Sequence, residues 1–354
     1  MDNESKSSHI SGRRHLLLNL LFLLIAVLSV WAVSSQARGF SPREFSQYLE
    51  RNNPWYLAGA LAAMLGYILL GALAIRCLLK GFGYRRGLGS SVSYVAADLY
   101  FSAITPSATG GQPMEGYFMK RDGIPWVICT AALMTNLLLY TLSIVIIGAL
   151  GLILRPSSFL RFGPLSRYLI ILGVCIQLSL VLVYSTLLWN KALLRRLGSW
   201  VLRLLARLRL VRDLESHQQR LDGILDRYGE ATRMLRGRRT LLLKGLALNV
   251  AHRGCQLLVI VFCFLAGGGS WRMTPDIFSI QCNVVLGASC VPIPGAMGIT
   301  DLMMLDGFSS ILNEVESANL ELLSRALSFY ICILLCGLIS LIKYAIIRFR
   351  RQKT

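Results

Sequence analysis

Along this chain hydrophobic residues gather into unbroken runs of about 20, the length that carries an α-helix across ~30 Å of hydrocarbon. Such runs at Leu16–Val33, Trp55–Leu79, Trp126 to about Leu154, Tyr168–Trp189, Leu241–Ala266 and Ala326–Ile347 predict about six full membrane spans. The first run is long for the core of a signal peptide and lacks a small-x-small cleavage site, so it is read as a retained span. Two further apolar segments, 90–119 and 276–307, are each split by a cluster of helix breakers. The first cluster is Thr105-Pro106-Ser107-Ala108-Thr109-Gly110-Gly111-Gln112-Pro113, and the second is Val291-Pro292-Ile293-Pro294-Gly295-Ala296-Met297-Gly298. Unpaired peptide groups find no water in lipid. Irregular backbone at membrane depth is therefore tolerated only inside protein or along a polar cavity.

Charge orients this pattern. Lys and Arg crowd residues 1–15, 76–86, 120–121, 191–239 and 343–353, while the other loops hold scattered basic residues such as Arg155, Arg161 and Arg325. The positive-inside rule puts the basic clusters and both termini in the cytoplasm of a multi-pass inner-membrane protein. Segment 90–119 then enters from the cytoplasm and returns there, and segment 276–307 dips in from the opposite face. The expectation is an all-α polytopic membrane protein with two oppositely oriented re-entrant hairpins in an inverted repeat. One membrane domain, 1–354, would comprise a first half-repeat at 55–154, a cytoplasmic amphipathic arm at 191–240 and a second half-repeat at 241–347. In the arm, Leu193, Leu194, Leu197, Val201, Leu204, Leu205 and Leu208 recur at helical spacing with Trp200 on the same side and arginines opposite, followed by a polar helix at 213–236. That pattern predicts a helix lying on the membrane surface.

The mean hydropathy of +0.57 excludes an ordinary soluble domain. The net charge of +19 is explained by orientation and by anionic lipid headgroups, without a nucleic-acid partner. Nine cysteines lie in or beside apolar runs with no metal-binding spacing, so no metal or cofactor is expected. No catalytic motif forms around Ser289-Cys290 or His217, and no nucleotide-binding loop is present. No catalytic residues are expected.

Candidate chemistry sits at the two breaks and in the middle of one span. If a half-helix starts near Pro113, the amides of Gly110 and Gly111 and the helix dipole favour an anion such as a lipid phosphate. The same holds for Gly295 and Gly298 ahead of the helix carrying Asp301. The simpler alternative is that these glycines only let helices cross closely. Asp98, Glu115, His252, Arg253, Asp301 and Asp306 are ionisable groups at or near membrane depth, where such groups are costly and mark function. Arg253 suits a phosphate by its forked donor geometry. An internal ion pair from Arg253 to Asp301 or Glu115 is the structural alternative.

At its two breaks the chain resembles the transmembrane region of lysylphosphatidylglycerol synthases and their stand-alone, flippase-like relatives. One element reads Pro106…Gly110-Gly111-Gln112-Pro113…Tyr117…Lys120-Arg121-Asp122-Gly123. The other reads Pro292-Ile293-Pro294-Gly295-Ala296-Met297-Gly298…Asp301, with Ala296 and Asp301 where the family pattern has Gly and Glu. The likeness spans about residues 15–350. It implies a binding site for a lipid headgroup around Gly110, Gly111, Pro113, Glu115, Tyr117, Pro294, Gly295, Gly298 and Asp301, to which the mid-span pair His252 and Arg253 is added. It also implies a flippase that moves aminoacylated phosphatidylglycerol. Because the last span is followed at once by Thr354, the cytosolic aminoacyltransferase domain of the two-domain relatives is expected to be missing.

The leading expectation is a membrane lipid translocase carrying a phospholipid or a lipid-linked glycan, with a separately encoded transferase as a candidate partner. Two others remain open: a phosphatidylglycerol lysyltransferase or its membrane component, and a non-transporting scaffold that works through the basic arm.

Overall fold

The structure, a computed structural model, describes residues 50, 52–105, 108–207, 214–235, 237–290 and 298–352. The expected first span, Leu16–Val33, lies outside the described residues, as do Pro106 and most of the second break. The chain divides into residues 1–51 and a compact unit over 52–354, and only the latter is described below.

Every element in this unit is helical: α1 Pro54–Gly81, α2 Leu88–Ile104, α3 Gly111–Arg121, α4 Trp126–Leu154, α5 Ser157–Leu160, α6 Pro164–Trp189, α7 Lys191–Arg207, α8 Leu214–Leu235, α9 Arg239–Ala266, α10 Thr274–Ala288, α11 Ile299–Phe308, α12 Glu314–Arg325 and α13 Cys332–Gln352. A π-helical turn, Ala326–Ile331, joins α12 to α13. Among the described residues five helices are long and apolar enough to cross a membrane: α1, α4, α6, α9 and the continuous stretch Val315–Phe349. The last of these starts earlier than the Ala326 expected from hydropathy. Glu321 and Arg325, one turn apart, form an ion pair at 3.2 Å, so the charges that made this stretch look like a loop neutralise each other within the helix.

The centre of the unit is the packing of α1 on α9. Asn53 caps α1 by accepting from the Trp55 N–H at 3.0 Å, with Pro54 at the first helical position. A row of glycines then runs down α1. Gly59 faces Phe262, Gly66 faces Cys255, Gly71 faces His252 and Gly81 faces Leu241, so the two helices run antiparallel. Small residues let backbones approach where no hydrophobic force separates helix from lipid. The Asn53 N–H to Ala266 carbonyl bond (2.9 Å) and the Arg238 to Gly81 carbonyl bond (2.9 Å) close the two ends of this pair.

Two further pairings surround it. Helix α10 packs on α4, with Leu286 against Gly148 and Cys282 against Gly151. Helix α13 packs on α2, with Gly337 against Tyr100 and the Lys343 ammonium 5.8 Å from the Tyr94 ring centroid. Both pairings are antiparallel. Helices α2 and α3 pack on each other across the first break, and α10 and α11 do so across the second. Helix α6 is the outermost of the long helices, and Tyr168, Ile171, Leu178 and Leu182 on it are exposed apolar side chains, as contact with lipid tails requires.

Helices α7 and α8 form an antiparallel pair beside this bundle. Lys191 pairs with Asp226, Arg195 donates to Asp222 at 2.7 Å, and Gly198 lies against Leu221. Leu197, Trp200, Val201 and Leu204 form an exposed apolar face on α7.

Candidate functional site

Where α1, α2, α3, α4, α9, α10 and the α12–α13 helix converge, they enclose a partly open cavity of about 1010 Å³. Its walls are amphiphilic. Leu133, Leu137, Leu257, Val285, Phe329 and Ile333 supply apolar surface. Asp98, Glu115, Asn249, Arg253, Gln281 and Arg325 supply polar groups from five different helices. The π-helical turn brings Ser328 and Phe329 to the wall, and such widened turns recur at functional sites.

Arg253 is positioned by neighbours that do not neutralise it. One of its terminal nitrogens donates to Gln256, the guanidinium lies 5.4 Å from the Tyr140 ring centroid, and its Nε is buried with no partner. Among the described residues it forms no ion pair. Of its two expected ion-pair partners, Asp301 pairs with Arg325 and also accepts from the Gly298 N–H at 3.0 Å, while Glu115 forms no ion pair among the described residues. Arg325 thus bridges Asp301 on α11 and Glu321 on α12 at the cavity's edge.

His252 is 5 % exposed and held as part of the α1–α9 contact. Its ring stacks on Tyr67 with centroids 4.1 Å apart, and Nδ1 donates to the Tyr67 carbonyl at 2.5 Å. A carbonyl only accepts, so the proton resides on Nδ1 and Nε2 carries the free lone pair. One turn away, Asn249 donates to Asn136 at 3.1 Å and ties α9 to α4.

The first break is built around close contact. Gly110, at the N-terminus of α3, donates its N–H to Thr105 Oγ1 at 2.9 Å. A Cβ on Gly111 would fall 2.6 Å from the Asp98 carbonyl oxygen and within 2.3 Å of its carboxylate, so α2 and α3 cross at this glycine. Pro113 and Glu115 follow on the cavity wall. Glu115 is 2 % exposed and its Oε1 has no partner. Tyr117 turns away from the cavity, its ring centroid 5.0 Å from the Arg121 guanidinium.

Of the sequence-derived candidates, the structure gathers Pro113, Glu115, His252 and Arg253 on one cavity. Gly110, Gly111, Gly298 and Asp301 are not among the residues that line it, and Pro294 and Gly295 lie outside the described residues. Sequence reading missed Asn249, Gln281 and Arg325 as cavity residues. Gln281 is one of three polar residues, with Ser279 and Asn283, in the otherwise apolar run Ile277–Leu286, and its Oε1 is buried without a partner. Those interruptions were the available signal.

The ends of the bundle carry ion pairs. At the exit of α3, Asp122 accepts from Tyr94 at 2.5 Å and from Lys343 at 2.7 and 2.8 Å. At the entry of α10, Asp276 meets Arg155 at 3.5 Å and Arg161 at 3.0 Å.

No curated protein matches the chain. Residues 17–336 match the family described as the lysylphosphatidylglycerol synthase TM region, and the chain, a multi-pass membrane protein, belongs to that family.

Proposed function

We propose that this chain is a lipid translocase of the cytoplasmic membrane, and that the cavity receives the headgroup of a phospholipid while its tails stay in the bilayer. The observation that carries this reading is the set of buried polar atoms without protein partners on one amphiphilic wall: Glu115 Oε1, Arg253 Nε and Gln281 Oε1. A buried unsatisfied donor or acceptor costs ~1–3 kcal/mol, more when charged, so a wall that keeps several is built for a polar ligand. In the proposed complex Arg253 holds the phosphate, and Gln281 and Glu115 hold hydroxyl or amino groups of the headgroup. An aminoacylated phosphatidylglycerol carries all of these groups. A lipid-linked glycan offers the phosphate and hydroxyls.

Alternating access needs two halves that exchange roles. The helix pairings support such a plan. Helices α1 and α9 are antiparallel, α10 packs on α4, and α13 packs reciprocally on α2. We read this as an inverted repeat in which α2–α3 and α10–α11 enter the bilayer from opposite faces, with termini in the cytoplasm. The apolar face of α7, flanked by Arg196 and Arg203, would rest on anionic lipid.

The test is a headgroup-quenching assay in proteoliposomes containing fluorescent phosphatidylglycerol or its lysylated form. Loss of a charge-assisted bond to phosphate is worth ~1.5–3 kcal/mol, so Arg253→Ala should slow flipping at least tenfold, and Glu115→Gln should slow the lysylated lipid more than the plain one. Unchanged flipping in both variants would remove these residues from the mechanism.

A further inference from the structure

Among the described residues Asp98 and Glu115 form no ion pair, unlike the cavity-edge acids Asp301 and Glu321, which share Arg325. Their relative placement follows from the crossing at Gly111. The Asp98 carboxylate sits against the Gly111 Cα, so close that a Cβ there would be 2.3 Å from Oδ1. Glu115 lies one helical turn beyond Gly111 on the same face of α3, where it is buried and within electrostatic reach of Asp98. Ser102 Oγ donates to Asp98 Oδ1 at 3.4 Å, which leaves Glu115 Oε1 unpartnered in a side chain that is 2 % exposed and lines the cavity. The ionisable neighbours that feel the charge of this pair are Tyr67 on α1, Cys129 on α4 and Cys336 on α13. None of these is a cation at neutral pH. Arg253 of α9 shares the cavity but is held by Gln256 and the Tyr140 ring.

We propose that the Asp98–Glu115 pair is the coupling-ion site of the transporter and holds one exchangeable monovalent cation, a proton, between the two carboxyl groups. This inference rests on the translocase reading above. Two carboxylates brought to one helix crossing, with Glu115 only 2 % exposed, do not both stay ionised, since a nearby like charge disfavours the second charge strongly. One proton between them removes the repulsion and supplies an O–H that the unpartnered Glu115 oxygen otherwise lacks. In the transport cycle the cationic part of a headgroup would take the proton's place. One positive charge enters the pair as one leaves to water, so the exchange is charge-neutral at the site. Asp301, locked to Arg325, is excluded from this role.

Infrared spectroscopy of the reconstituted protein in deuterated buffer, with no added lipid substrate, reads the pair directly, so its outcome is independent of whether lipid is flipped. At pH 7 the wild-type protein should show the C=O stretch of a protonated carboxyl. The band should disappear in the Asp98→Asn/Glu115→Gln double variant, whose side chains keep the shape of the originals. In wild-type protein raising the pH should remove it, and adding sodium chloride at fixed pH should not. A wild-type spectrum without that band at pH 7, or a band that survives in the double variant, overturns the proposal. Removal of the band by sodium at pH 7 overturns the proton in favour of a sodium ion.

Discussion

Gly111→Val should separate α3 from α2 and abolish the proposed lipid movement while Gly89→Ala leaves both stability and transport intact. At Gly111 a new Cβ meets Ser102 Oγ at 2.0 Å, a side chain that can swing aside, but it also meets the Asp98 backbone oxygen at 2.6 Å. That oxygen belongs to the middle of α2 and moves only if the helix moves. Overfilling a packed interior costs ~1–3 kcal/mol, and a β-branched residue with a rigid χ1 falls at the upper end. Gly89 lies in open space in the first turn of α2, where alanine meets nothing within 4 Å and gains helix propensity. Thermal unfolding in detergent, followed by fluorescence, and the proteoliposome assay give both readouts. Equal melting of Gly111→Val and the wild type would mean that α2 and α3 do not cross at this point.

Lys343→Met should be the most damaging single change at the end of the bundle where α3 exits. Lys343 donates to both Asp122 oxygens, and the side chains of this pair are each 14 % exposed. Removing one partner of a buried pair leaves the other charge uncompensated, at ~3–5 kcal/mol for full burial and less here because some water reaches the pair. The Tyr94 hydroxyl at 2.5 Å remains but carries no charge. Adding Asp122→Leu should restore much of the lost stability, because a well-packed apolar pair often matches a buried salt bridge. Failure of the double variant to recover any melting temperature would show that Asp122 acts through Tyr94 rather than through Lys343.

These effects also show which parts of the molecule hydropathy can reveal. Four of the five long helices follow from uninterrupted apolar runs, because length and composition alone decide whether a helix can span lipid. The fifth begins earlier than its run, since Glu321 and Arg325 cancel each other within one turn, and a residue-by-residue hydropathy sum does not register a pair. The polar residues of the site were legible in part. Glu115 and Arg253 stand out as charges in apolar sequence, and both line the cavity. The partners of each charge were not legible. Asp301 is drawn to Arg325, and the Gly110 amide to Thr105, by three-dimensional neighbours that spacing does not reveal. Gln281 escaped because an uncharged amide scarcely disturbs an apolar average, although in a buried place its unpaired oxygen is as informative as a charge.

In the proposed arrangement two broken helices reach a shared cavity from opposite sides of the membrane. Single cysteines introduced at Gly87 and Gly123, which flank the first hairpin, and at Ser270 and Ser309, which flank the second, test it in a background without the natural cysteines. A membrane-impermeant thiol reagent applied to right-side-out and inverted vesicles should label the first two only from the cytoplasmic side and the last two only from the outside. Labelling of Gly87 and Gly123 from opposite sides would thread that segment through the bilayer as a full span, and labelling of all four from one side would remove the inverted arrangement on which the shared cavity depends.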